Sequence, residues 1–194
     1  MRIAVMYATL MPLLLAGAAN MLFTKSRLYR AHCEPIDGGK CFTDGKRIFG
    51  DNKTWAGFLG MIAATCIAQV LWGLLSASSE TIGCANEMYQ RFDNTLPFNA
   101  AVGALLGFMY VLCELPNSFL KRRLNIQPGK TADGFKGALF FVIDQIDSLL
   151  GVVLLLALLT GITLPQYVQY ILLGAVTHLA LNAVLYALKI RKNL

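Results

Sequence analysis

The stretch FKGALFFVIDQIDSLLGVVLLLALLT, residues 135–160, is long and apolar enough to cross a bilayer, yet it carries Asp144 and Asp147 and no basic residue after Lys136. About 20 apolar residues span the hydrocarbon as a helix. A carboxylate inside such a span is costly unless it faces a polar cavity, a cation or a partner. Two carboxylates at i and i+3 share one helical face and repel each other if both are charged with nothing between them. Two readings follow. In one, a divalent cation lies between the pair, with hard oxygen ligands from both side chains and from a substrate phosphate. In the other the pair is structural, hydrogen-bonded across a helix bundle with at least one Asp protonated.

The rest of the chain supports a membrane setting. Of 194 residues, 56% are hydrophobic and only 14% charged, with a mean hydropathy of +0.56. A soluble protein needs more polar residues than this to cover its surface. The length suits one transmembrane domain over residues 1–194. A net charge of +6 is compatible with nucleic acid, but the basic residues gather in loops between apolar spans. Topology and lipid headgroups explain that better, and no nucleic-acid signature is present. The five cysteines form no C-x-x-C pair and, being odd in number, no obvious disulfide framework. Cys66 and Cys113 fall in spans and read as small apolar fillers.

Five apolar segments stand out, at about 3–23, 55–75, 98–120, 137–159 and 167–188. The first is too long for a signal-peptide core and is followed by Lys25, Arg27 and Arg30, so it reads as an uncleaved helix. The third contains Pro116, where a kink or an early end is expected. Gly103 and Gly107 have the G-x-x-x-G spacing of a helix-packing face. The loop 24–54 has seven Lys or Arg, residues 121–136 add Lys121, Arg122, Arg123, Lys130 and Lys136, and the C-terminus adds Lys189, Arg191 and Lys192. Between the second and third spans only Arg91 stands against Glu80, Glu87 and Asp93. Five crossings put every basic region on one side. The expectation is an all-α integral membrane protein, a five-helix bundle with its N-terminus outside and its C-terminus in the cytoplasm.

The first basic loop reads HCEPIDGGKCFTDGKRIFGDNKTWAGF, residues 32–58. Its Pro and Gly positions mark turns rather than a long helix. Backbone N–H groups at Gly38, Gly39 and Gly50 can form an anion nest, and Lys40, Lys46, Arg47 and Lys53 add positive charge. That combination suits a polyphosphate, with Asp37 and Asp51 orienting the lysines or holding a metal. The spacing is not that of a Walker A loop. Thr54 is placed to cap the second span. The alternative for the loop is a basic linker that only fixes topology.

The third span ends ELPNSFLKRR, where Glu114, Asn117, Ser118 and Lys121 lie on one helical face. One reading is a phosphate-binding edge with a carboxylate and an amide behind it. The other is positive-inside anchoring by Lys121–Arg123 with one buried Glu. Asp144 and Glu114 both stand about 10 Å from the basic edge by helical rise. They can meet only if a polar cleft opens into the bundle from that side. His178, Asn182 and Asn20 are read as structural polar groups.

In combination these motifs become recognisable. The runs PIDGGK (35–40), GKRIFGDNKTW (45–55), NSFLKRRL (117–124), Pro128–Gly129 and DQID (144–147) resemble, in order and separation, the CDP-archaeol synthase family across essentially the whole chain. The resemblance implies a bundle related to phosphatidate cytidylyltransferases and a reaction of CTP with a lipid phosphate, giving a CDP-lipid and pyrophosphate with Mg²⁺. It implies Lys121, Arg122, Asp144 and Asp147 as the K-R and D-x-x-D elements, and Asp37, Lys40, Asp51, Lys53 and Thr54 in the loop motif. Glu114 stands where the family commonly has an Asp. The implied setting is the cell membrane, with the active site facing the cytoplasm. Two rival readings are another lipid-phosphate transferase, such as an acyltransferase using an acyl phosphate, and a cation-coupled transporter, which leaves the loop chemistry idle.

Overall fold

The computed structural model describes residues 3–130 and 132–187. Among the described residues are seven helices: α1 Ile3–Phe23, α2 Arg27–Ala31, α3 Trp55–Ala77, α4 Glu80–Cys84, α5 Leu96–Arg123, α6 Gly134–Thr160 and α7 Leu164–Ala187. Five of them (α1, α3, α5, α6 and α7) are long and apolar enough to cross a membrane. Leu188, Lys189, Arg191 and Lys192, used in the sequence reading, lie outside the described residues.

Local chemistry sets the helix ends. Thr54 caps α3 by accepting from the Gly57 N–H at 3.1 Å, and the Tyr29 hydroxyl meets the same Thr54 oxygen at 2.9 Å. α6 stops at Gly161, whose φ of 66° is the left-handed C-cap that glycine adopts without strain. Of the kink or early end expected at Pro116, the early end does not occur: α5 continues through Arg123. Proline there removes one intrahelical bond, while Asn117, Ser118 and Arg122 in the following turns are buried against the bundle.

Neighbouring spans pack in chain order, α1 on α3, α3 on α5, α5 on α6 and α6 on α7, while α7 touches α1 only sparingly. The α3–α5 seam is the most extensive. A Cβ on Gly103 would stand 2.8 Å from the Cys66 Cα, and one on Gly107 2.8 Å from the Ile62 Cα. The G-x-x-x-G pair is therefore a true backbone-to-backbone contact. At the α5–α6 seam the Cys113 sulfur fills the notch left by Gly151. Met6, Leu10, Met61, Leu106, Val153 and Leu156 are buried between the helices. Leu59, Ile67, Leu71, Leu158 and Leu172 are exposed around the outside, as a bilayer-facing surface requires.

The two ends of the bundle differ. One carries the basic loops; the other carries residues 78–95, where Asn86 is buried and accepts from the Met88 N–H at 2.9 Å. Beside them a polar network joins Gln69, Tyr89, Asn99 and Asn94, with the Tyr89 hydroxyl donating to Asn99 Oδ1 at 2.7 Å.

Candidate active site at the basic end of the bundle

The cleft required by the depth of Glu114 and Asp144 is present. A cavity of about 570 Å³ lies among α1, α3, α5, α6 and α7 at their basic ends. Its lining includes Lys53 and Thr54 at the start of α3, and Glu114, Asn117, Ser118, Lys121 and Arg122 of α5. Asp144, Asp147 and Ser148 of α6 and His178 and Asn182 of α7 complete the polar wall. The shared face of α5 read from the sequence thus meets the shared face of α6.

The hydrogen bonds between those faces are specific. Asn117 Nδ2 donates to Asp144 Oδ1 at 2.7 Å and to Asp147 Oδ2 at 2.6 Å. Lys121 Nζ reaches Asp144 Oδ2 at 2.6 Å. Lys53 Nζ is paired with Glu114 Oε2. Burial would lower the Lys53 ammonium, but Glu114 beside it, with Asp147 and Asp144 behind, outweighs this and raises it. Lys53 therefore stays charged at neutral pH.

Counting partners exposes an imbalance. Three carboxylates (Glu114, Asp144, Asp147) and four basic side chains (Lys53, Lys121, Arg122, Lys130) line the cavity. Two ion pairs form among them, Lys53–Glu114 and Lys121–Asp144. Among the described residues Asp147 has no ion pair, its oxygens being held by Asn117 and the Ser148 N–H. Arg122 is 7% exposed, and its Nε and one terminal nitrogen are buried without a hydrogen-bond partner. A buried guanidinium left unpaired is costly. Within the cavity, one carboxyl (Asp147) and one buried guanidinium (Arg122) are thus without an ion-pair partner among the described residues.

The basic loop is organised around Asp37. Its side chain is fully buried and accepts from the N–H groups of Gly39, Phe49 and Gly50 at 3.1, 2.9 and 2.9 Å. Arg47 adds two further bonds, from NH2 to Oδ1 at 2.6 Å and from Nε to Oδ2 at 3.3 Å, and reaches Asp51 with its other terminal nitrogen. Burial alone would raise the Asp37 carboxyl, but Arg47 and the three N–H groups together hold it well below the usual carboxylate range. Here the structure departs from the nest expected for a polyphosphate: the anion in it is the protein's own carboxylate. Asp37, Gly38, Gly39, Lys40, Lys46, Arg47, Gly50 and Asp51 do not line the cavity. Short pairings of Glu34 with Trp55 and Ile36 with Lys53 close the loop and set Lys53 and Thr54 at the cavity mouth.

Sequence reasoning missed what fastens the loop to the bundle. Arg123 donates to Asp44 at 2.7 Å and to the carbonyls of Lys46 and Arg47, and it stacks on Phe42 and Phe119. Lys46 Nζ returns a bond to the Arg123 carbonyl at 2.7 Å. Gly50, at φ 101°, lets the loop backbone approach Pro128, where a Cβ would stand 2.7 Å from the ring. The adjacency of three basic residues hid their separate tasks: Lys121 and Arg122 turn into the cavity and Arg123 turns away from it.

The family described as CarS-like, CDP-archaeol synthase, matches residues 3–193. The chain belongs to the CDP-archaeol synthase family. The CDP-archaeol synthase of Thermofilum pendens is 32% identical over 183 residues, 93% of this chain and 76% of that protein. The Methanoculleus marisnigri CDP-archaeol synthase is 34% identical over 164 residues, 81% of this chain and 87% of its own length. A solved structure of an intramembrane enzyme for archaeal membrane lipids biosynthesis matches with a TM-score of 0.64 and 26% identity, covering 91% of this chain and 92% of that one. The resemblance carried by the loop and D-x-x-D motifs thus extends to the full chain and to its helical architecture.

The donor set at Asp144 and Asp147 fits a hard divalent cation. One oxygen from each carboxylate faces a single point, where the Asn117 amide nitrogen now sits. Asn117 Oδ1 is buried without a partner, and rotation of that amide would present a third oxygen to the same point. Among the described residues no three His, Cys, Asp or Glu side chains converge as metal ligands. The remaining ligands would then come from substrate phosphate and water, as Mg²⁺ commonly takes them.

Proposed function

We propose that this protein transfers the cytidylyl group of CTP to a membrane lipid phosphate, forming a CDP-lipid and releasing pyrophosphate, with Mg²⁺ as cofactor. Its basic end faces the cytoplasm of the cell membrane, where CTP is available. The observation that carries the reading is the unmatched pair in one cavity, Arg122 and Asp147. A phosphate satisfies the first and a divalent cation the second. Membership of the CDP-archaeol synthase family supports the same reaction class.

The chemistry is phosphoryl substitution. An oxygen of the lipid phosphate attacks the α-phosphorus of CTP, the new P–O bond forms, and the bond from that phosphorus to the β-phosphate bridge breaks. The nucleophile is already anionic and needs no strong base, so the protein's task is positioning and charge compensation. Arg122 binds a phosphate with its planar fork. Lys53 and Lys121, both lining the cavity, offset charge on the pyrophosphate leaving group. Glu114 and Asp144 orient these lysines by the ion pairs already formed. Asp144 and Asp147 would hold Mg²⁺, which when bound neutralises phosphate oxygens. The apolar walls limit competing hydrolysis.

The test is incubation of purified protein in lipid nanodiscs with CTP, Mg²⁺ and a panel of ether- and ester-linked lipid phosphates. CDP-lipid, read by mass, should appear in equal amount with pyrophosphate. Asp144→Asn and Asp147→Asn should each lower turnover on the order of 100-fold, the size of losing a preorganised electrostatic contact. Full turnover in chelator, or an unchanged Mg²⁺ dependence in Asp144→Asn, removes the metal role. No CDP-lipid from any lipid phosphate removes the reaction.

A further inference from the structure

We infer that the hydrocarbon chains of the lipid substrate lie in the cleft between α1 and α7, and that Gly17 keeps this cleft open. The inference rests on the lipid-phosphate reading above and adds where the tails go. The cavity has cations at Lys53, Lys121 and Arg122 and, on its α1 and α7 walls, an apolar lining of Leu13, Leu14, Gly17, Ala18 and Leu181 interrupted by Asn20, His178 and Asn182. One continuous space with cations on one wall and mainly aliphatic side chains on another matches a phosphate carrying alkyl chains. Its 570 Å³ is the scale of a small-molecule site. A nucleotide and two long chains cannot all be enclosed, so the chains must leave sideways into the bilayer.

The helices offer one such exit beside this lining. Successive spans from α1 to α7 pack extensively, but α7 and α1 meet sparingly. They are tied by a hydrogen bond between the Tyr7 hydroxyl and Thr177 Oγ1 at 3.1 Å, and the cavity is lined by α1 from Leu13 to Met21 and by α7 from Gly174 to Asn182.

Gly17 is the decisive residue. Glycine inside a helix is unfavourable relative to alanine, so an interior glycine normally has a packing reason. Gly57, Gly60, Gly73, Gly103, Gly107, Gly151 and Gly174 all have one, since an added Cβ at each would meet a neighbour within 3.4 Å. Among the described glycines in helix interiors, leaving aside Gly134 at the first position of α6, Gly17 stands apart: nothing lies within 4 Å of the position its Cβ would take. It lines the cavity. The space it preserves is space for a ligand. A larger apolar groove of about 950 Å³ runs along another face of α1 against α3, past Leu15, Ala63 and Ile67. It shares none of the charged site residues and offers no route for a chain attached to a phosphate at Arg122.

Two measurements test this in the full-length protein in nanodiscs. In the first, Gly17→Leu should raise KM for a long-chain lipid phosphate at least tenfold. It should leave KM for CTP and turnover of an eight-carbon lipid phosphate within twofold, a split that general misfolding does not produce. Ala18→Leu serves if Gly17→Leu does not fold, and Ala63→Leu in the α1–α3 groove should change neither constant. The second needs no turnover: a lipid phosphate with a diazirine midway along its chain should label residues 13–21 and 174–182. Labelling confined to Leu59, Ala63 and Ile67, or a long-chain KM raised by Ala63→Leu and not by the cleft variants, overturns the inference. Cleft labelling without any CDP-lipid product would instead refute the proposed reaction and leave the tail site standing.

Discussion

At the scale of single residues, Arg122 and Asp37 show how two buried charged side chains come to opposite ends. Arg122 is buried, unpaired and in the cavity; Asp37 is buried, fully paired and away from it. Arg122→Ala is expected to weaken binding of the phosphate substrate by roughly 10–100-fold, the equivalent of about 1.5–3 kcal/mol for a charged hydrogen bond. Thermal stability should hold or rise, because an unpaired buried guanidinium has been removed. Inhibition and melting curves on one preparation check both halves. Asp37→Asn should behave in the opposite sense, costing about 3 kcal/mol by breaking a buried pair. Its signs would be a lower Tm and faster proteolysis within residues 34–54. The pH dependence has a definite sign. The Asp37 carboxyl is depressed in the folded protein, so its stabilisation is fully present above the unfolded value of about 3.9. It is lost as pH falls from there toward the folded value. Wild type should therefore lose Tm below about pH 4 more steeply than Asp37→Asn.

At the scale of elements, two glycine contacts decide which pieces meet. The α3–α5 seam needs Gly103 and Gly107, since a Cβ at either meets backbone of α3 at about 2.8 Å. Gly103→Val should cost about 1–3 kcal/mol by overpacking, read as a lower Tm in detergent with little change in KM for any surviving protein. Gly50 joins the basic loop to the turn at Pro128 under a φ of 101°. Gly50→Ala combines a strained backbone, of order 1–3 kcal/mol, with a clash against proline. It should shift the loop carrying Lys53 and lower turnover without altering any residue of the cavity. The spacing of G-x-x-x-G was legible in advance, but its partner was not. Which helix fills a glycine notch depends on the rotation of two helices, and local periodicity carries no information about the neighbour.

At the scale of the whole molecule, the exposed cysteines report orientation. Cys33 and Cys41 lie in the basic loop and Cys84 in α4 at the other end, all exposed and free. A membrane-impermeant maleimide should label Cys84 in intact cells and reach Cys33 and Cys41 only after permeabilisation. The reverse pattern would invert the proposed placement of the site. The cavity also bears on the rival transport reading. Its wall turns apolar beyond Asp147, at Leu13 and Leu149, where a cation path would need further polar steps.

The sequence by itself determined the five spans, the family, and the fact that Asp144 and Asp147 share a helical face. Hydropathy, charge balance and i, i+3 spacing are sums over neighbouring residues, and the bilayer enforces them strongly. Only the tertiary structure decided the partners. It set Asn117 between the two carboxylates, gave Lys53 to Glu114, turned Arg122 inward beside Arg123 turned out, and filled the glycine nest with Asp37. Each of those outcomes depends on the register and rotation of segments far apart in the chain, between which a few ångströms separate an ion pair from an unmatched charge.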